Sequence, residues 1–153
     1  MAVRPATEDD LEVIVQLSSG ARDRLEITEP TFWRRHADAD RNQRAWFDVL
    51  LGDDGHRILV STDRDDTVDG FIVARAMDAP PVYDPRGRTC LVDDFVWSTG
   101  EVAEALIADV RQWATGQGCT QLVVITAARD LDRRELLERT GLHPTSEWWT
   151  GPL

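Results

Sequence analysis

Asp93 and Asp94 interrupt an otherwise apolar run, TCLVDDFVW, from Thr89 to Trp97. The run reads as a buried strand that carries charge at its far end. A carboxylate so placed can take a proton from an incoming protonated amine, or it can pair with an arginine and serve only the structure. Successive strand residues point to opposite faces, so the spacing predicts that one faces a cleft and the other finds an arginine. Ser98, Thr99 and Gly100 then lead into EVAEALIADVRQWATGQG, where Val102, Leu106, Val110 and Trp113 recur at helical spacing. A tight turn from strand to helix is a place to hold an anion, because the first helical N–H groups have no internal partner. The same turn carries a competing pattern. Ser98-x-x-Glu101 is a capping box, in which the Ser98 hydroxyl takes the Glu101 N–H and the Glu101 carboxylate returns to the Ser98 N–H.

The whole chain bounds what such a site serves. Its 153 residues suffice for one core, and no linker or repeat divides them, so one domain over 1–153 is expected. The net charge of −11 and pI of about 4.6 disfavour nucleic acid and anionic membrane as partners. Such a surface either attracts a cationic or amine substrate or simply keeps the protein solvated. Cys90 and Cys119 open apolar runs and read as buried thiols, with neither a disulfide framework nor a metal cluster. His36, His56 and His143 are isolated, so no metal is expected. No apolar run approaches the ~20 residues of a membrane span, and MAVRPATEDD lacks a signal segment. The cytoplasm is the expected compartment.

The elements that must position these residues follow in order. Ala2 to Arg4 forms a strand, and Thr7-x-x-Asp10 starts a helix from Glu8 to about Ser18 that Gly20 ends. A second helix over 41–51 should turn Ala45, Trp46, Val49 and Leu50 inward. Between the two, Glu26 and Glu29 are candidates for recognising a cationic substrate. Strands over 56–63 and 69–77 make a hairpin, and the loop APPVYDPRG holds the only tyrosine, Tyr83. Arg86 and Arg88 are candidates for reaching a phosphate. After the 89–97 strand and its helix come a strand over 121–126, a helix from Asp130 with Leu131 and, further along, Leu136 or Leu137 facing in, and an aromatic strand in LHPTSEWWTGPL. The order is β, α, α, β, β, β, α, β, α, β, a mixed α/β arrangement.

That order, with VRPAT-EDD at the start, Val92-Asp93-Asp94-Phe95-Val96-Trp97 as a fourth strand, Ala105 to Cys119 as the following helix and turn, and Arg139-Thr140-Gly141-Leu142 at the end, resembles the GNAT acetyltransferase superfamily over nearly the whole chain. The resemblance implies a single-domain sheet splayed between strands 4 and 5, and acetyl transfer from acetyl-CoA to a small-molecule amine. By the same resemblance, the backbone of Phe95, Val96 and Trp97 holds the pantetheine arm and the thioester. Gly100, Glu101, Val102 and Ala103 take the pyrophosphate. Asp93 is the favoured base, with Asp94 and Tyr83 as further catalytic candidates.

The chain departs from that family's pattern at telling positions. Where the pyrophosphate loop reads R/Q-x-x-G-x-G/A, this chain has Ser98, Glu101 and Ala103, of which only Ala103 fits. A carboxylate at Glu101 repels a dianionic ligand. The place of the general-acid tyrosine is Leu137, and an asparagine of the same segment falls near Asp130. Few residues follow Gly141, which leaves Trp148 and Trp149 either on an edge that pairs with a second copy or capping this chain's own core. Two functions therefore stand: an acyl-CoA-dependent N-acyltransferase, or a GNAT-fold protein that has lost CoA chemistry and acts as a ligand-binding or dimeric interaction module.

Overall fold

The computed structural model describes residues 1–151. Five strands lie in the order β1-β2-β3-β4-β5. They are β1 (Ala2–Pro5), β2 (His56–Thr62), β3 (Val68–Met77), β4 (Arg88–Trp97) and β5 (Cys119–Val124). The first four are antiparallel, and β5 joins β4 in parallel. That parallel step needs a crossover, supplied by α3 (Gly100–Gly116). Gly118, at φ +75°, turns the chain from α3 into β5.

Helices α1 (Leu11–Thr28) and α2 (Ala39–Leu51) cover one face. There Leu11, Ile14, Phe47, Leu50, Val60, Phe71, Val73 and Val96 form one apolar cluster. Helices α3 and α4 (Leu131–Arg139) cover the other face, where Ile72, Cys90, Val92, Phe95, Leu106, Val110 and Leu136 form the second. α3 rides close to β3 because Gly70 has no side chain; a Cβ there would come within 2.7 Å of Val102. The helix start at Thr7 is as the sequence implies. The Thr7 N–H donates to the Asp10 carboxylate at 2.7 Å, and Arg4 pairs with the same carboxylate at 2.7 and 2.9 Å.

Several expected boundaries shift. Gly20 does not end the first helix. The buried stripe Leu11, Ile14, Val15, Ser18 continues through Ala21, and packing offsets a glycine penalty of about 1 kcal/mol. The extra turns carry Arg22, Arg24 and Leu25 toward the end of β4. In α2 the buried stripe is Phe47 and Leu50, while Trp46 and Val49 are 55% and 62% exposed. Ala45, too, lies on the outer face. The helix touches the sheet along a narrow line, and both registers are apolar, so periodicity alone did not choose between them. Leu131 is exposed at the first turn of α4, whose inner residues are Leu136 and Leu137. The expected sixth strand is absent over 142–151. Pro144 lacks an N–H to donate, and the segment instead crosses back so that Trp148 meets Phe32 edge to face, ring centroids 6.1 Å apart. Pro152 and Leu153, the last two residues of that expected strand, lie outside the described residues.

Candidate functional site

The site begins where the sheet comes apart. β4 and β5 pair from Arg88–Cys119 as far as Val92–Val124. Beyond that point β4 continues against β3 alone, through Asp94–Val73, Phe95–Ile72, Val96–Phe71 and Trp97–Gly70. The chain after Val124 diverges into Ile125, Thr126 and Ala127, and a wedge opens beside Phe95.

A β-bulge lies at the root of that wedge. Val73 faces Asp94 and Ala74 faces Val92, so Asp93 has no partner across the ladder. The extra residue cancels one alternation. Asp93 and Asp94 therefore emerge on the same face, toward α1 and α2, instead of the opposite faces expected of an unbulged strand. Both line a cavity of about 730 Å³ bounded by α1, the 32–36 segment, the end of β4 and the start of α4.

The two carboxylates are held differently. An Asp93 oxygen lies 3.2 Å from Arg75 Nε, and the side chain is 35% exposed to the cavity. Burial pushes its carboxyl above the usual range, with Arg75 and His56 pulling the other way. Asp94 accepts from the Ser18 hydroxyl at 2.7 Å, the Gln43 side-chain amide at 2.8 Å and the Phe95 N–H at 2.9 Å. Its carboxyl is also raised by burial, against the Ser18 hydrogen bond and the charges of Arg133 and Arg22. Arg22 completes the cluster by donating to Ser18 at 2.9 Å, with Gln43 beside it.

On the wedge side stands Arg133. Asp130 caps α4 by accepting the Arg133 N–H at 3.1 Å and pairs with its Nε at 3.2 Å. The guanidinium reaches into the opening, donates to the Phe95 carbonyl at 2.8 Å, and lies 4.5 Å from the Trp97 ring centroid. Burial lowers its pKa, with Asp130 and Asp94 opposing. Both backbone polar groups of Phe95 are thus occupied, the N–H by Asp94 and the C=O by Arg133.

The strand-to-helix turn is built otherwise than as a Ser98–Glu101 capping box. The helix begins at Gly100, which makes Thr99 the cap, and its hydroxyl accepts the Val102 N–H at 3.3 Å. Ser98, one position too early, donates to Asp69 at 3.2 Å instead. Glu101 is exposed, and Ala103 is buried under α3 with its N–H bonded to the Thr99 carbonyl. Arg139 lies over the turn: a Cβ on Gly100 would sit 3.3 Å from its Nη2.

The remaining candidates fall away from this centre. Tyr83 is 72% exposed in the β3–β4 loop and does not line the cavity. Glu26 and Glu29 tie down the chain after α1, accepting from the Arg35 and Thr31 N–H groups. Arg88 binds the Ala76 carbonyl and Asp78 at the start of β4. That end is roughly 30 Å of strand from Gly100, so neither Arg88 nor the neighbouring Arg86 reaches the turn. Ser18, Gln43, Arg133 and Arg139 carried no sequence signal strong enough to single them out. Ser18 came nearest, as a polar residue within an apolar helical stripe. Among the described residues no group of three or more His, Cys, Asp or Glu is placed to hold a metal, and no helix is long and apolar enough to cross a membrane.

No protein-family model matches this chain, and no curated protein matches it either. Solved structures do. A mutant of the BH1408 protein from Bacillus halodurans superposes with a TM-score of 0.89 at 13% identity, covering 100% of this chain and 99% of that one. Aminoglycoside 6'-N-acetyltransferase AAC(6')-Ih from Acinetobacter baumannii superposes with a TM-score of 0.75 at 13% identity, covering 99% and 98%. The chain has the GNAT acetyltransferase fold. A third structure, AAC(6')-Iy in complex with a CoA-linked bisubstrate analogue, matches with a TM-score of 0.72 at 17% identity, covering 99% and 97%. In the present GNAT fold, the wedge lies between the fourth and fifth strands, and the bulged carboxylates stand at its root on the face toward α1 and α2.

Proposed function

We propose that this protein transfers an acyl group from acyl-CoA to the amine of a small molecule. The observation that carries the reading is the wedge beyond Val92–Val124 with two carboxylates at its root. An acyl thioester would lie along β4, where Trp97, two residues beyond Phe95, presents its backbone to the same open side. The pyrophosphate would take the free N–H groups of the first turn of α3, at Gly100 and Glu101, with the Arg139 guanidinium beside them. Asp93 is the base: one of its oxygens faces Arg75, and its exposed side chain meets the cavity. It takes the proton of the ammonium, the freed amine attacks the thioester carbonyl, the C–S bond breaks as the N–C bond forms, and the surplus N–H proton passes to solvent. The thiolate leaves without a tyrosine to protonate it, since a thiol of pKa near ~8.5 is a competent leaving group; Leu137 is buried in the core. Asp94 is a positioning residue, its oxygens already engaged by Ser18, Gln43 and Phe95. Pairing of two copies through the exposed rings of Trp148 and Trp149 belongs to the same proposal.

A second reading has one observation in its favour. The Phe95 N–H and C=O, groups a pantetheine arm would need, are satisfied within the chain. On that reading the wedge holds Arg133, and the protein binds a ligand without acyl transfer. Calorimetric titration with acetyl-CoA separates the two. Micromolar binding that weakens with added salt supports the transferase, and no heat at millimolar cofactor removes it. Sedimentation tests the pairing: a Trp148→Ala protein of unchanged mass means the rings hold no dimer.

A further inference from the structure

The cavity has the opposite electrical character to the chain that encloses it. Six arginines line it, Arg22, Arg24, Arg34, Arg35, Arg129 and Arg133, against four carboxylates, Asp93, Asp94, Asp130 and Asp132, in a protein of net charge −11. Three of those arginines are accounted for. Arg22 pairs with Asp40, Arg35 with Asp23 and Asp40, and Arg133 with Asp130. Among the described residues, Arg24, Arg34 and Arg129 form no ion pair. They stand on three different segments, α1, the 32–36 connection and the loop before α4. Arg24 also acts on Arg133 across the cavity as one like charge on another. The same cavity is also lined by apolar side chains, among them Leu25, Phe32, Trp33 and Ile125.

Three guanidiniums lining one cavity without an ion-pair partner favour an anion, and their planar forks suit a carboxylate. We propose that the acceptor bound here is an amino carboxylate: its amine lies against Asp93, its apolar body against Trp33, and its carboxylate against Arg24, Arg34 and Arg129. The placement of the amine rests on the acyl-transfer reading; the placement of the acid does not. This substrate class is narrower than the amine implied by an acidic surface: it is a zwitterion, not a polycation.

The test is calorimetry on the full chain without any acyl-CoA, using matched pairs that differ only by the carboxylate. The pairs are L-phenylalanine against phenethylamine and L-leucine against isopentylamine. The acid is expected to bind at least about tenfold tighter than its decarboxylated partner in at least one pair. Arg24→Gln combined with Arg34→Gln is expected to erase that preference, and both residues are exposed, so the fold survives their replacement. Equal or tighter binding of the bare amines overturns the proposal, and so does the absence of binding to every probe. A separate titration with acetyl-CoA keeps the two readings apart. Carboxylate preference without cofactor binding upholds this inference and removes acyl transfer, whereas acetylation of acid and bare amine with equal kcat/KM does the reverse.

Discussion

The two mouths of the wedge are built on different principles. Toward α1 and α2, side chains from distant parts of the chain interlock: Ser18, Arg22, Gln43 and Asp94 touch in series, and the arginines beyond them leave the cavity richer in cations than in anions. Toward the start of α3, recognition would fall to two backbone N–H groups and one arginine, with Glu101 nearby as an opposing charge. A preorganised polar network gives specificity because its groups cannot rearrange cheaply, while a helix terminus accepts many anions with little discrimination. The contrast teaches that net charge describes the surface and not the pocket.

The sharpest way to break the comparison is Asp93→Asn. It removes the proposed base at the interlocked mouth, and kcat is expected to fall about a hundredfold or more while the acetyl-CoA dissociation constant stays put. A fall in cofactor affinity instead would relocate Asp93 to the other mouth. Next in size is Arg133→Met, which frees the Phe95 carbonyl. Acetyl-CoA is expected to bind about tenfold tighter, and weaker binding measured by calorimetry would make Arg133 a cofactor ligand.

Acid and base stability profiles set Asp94 against Asp10. The Asp94 carboxyl is raised in the folded state, so the native protein binds the extra proton. Its contribution therefore falls as pH rises from the ordinary carboxylate range through the raised value, then levels off. Asp10 is lowered, chiefly by Arg4. Its contribution is present above the ordinary carboxylate range and is lost as pH falls through the lowered value. Thermal melts of Asp94→Asn and Asp10→Asn across pH should lose slopes of opposite sign, and matching signs would sink the assignment. The smallest effect belongs to Glu101→Gln. Removing one exposed like charge should tighten acetyl-CoA binding about threefold at low salt and by less at high salt, and unchanged affinity would show that Glu101 turns away from the ligand.

The sequence by itself determined the order of elements as far as α4, the apolar face of α3 and the presence of two carboxylates at a strand end, because these follow from local periodicity and from residue type. Periodicity over Val102, Leu106 and Val110 admits one helix register, and all three are buried. It did not decide between Trp46 and Phe47 as the inner residue of α2, nor whether Gly20 stops α1, since local propensity leaves both open until the sheet is in place. Tertiary structure alone decided which way Asp93 points, because one unpaired residue in the β3–β4 ladder reverses the alternation. It alone brought Ser18 and Gln43 to the Asp94 carboxylate, and Arg133 to the Phe95 carbonyl, as well. Those residues lie 76, 51 and 38 positions from their partners along the chain, and no local rule joins groups so far apart; the packing of α1, α2 and α4 around one splayed strand does.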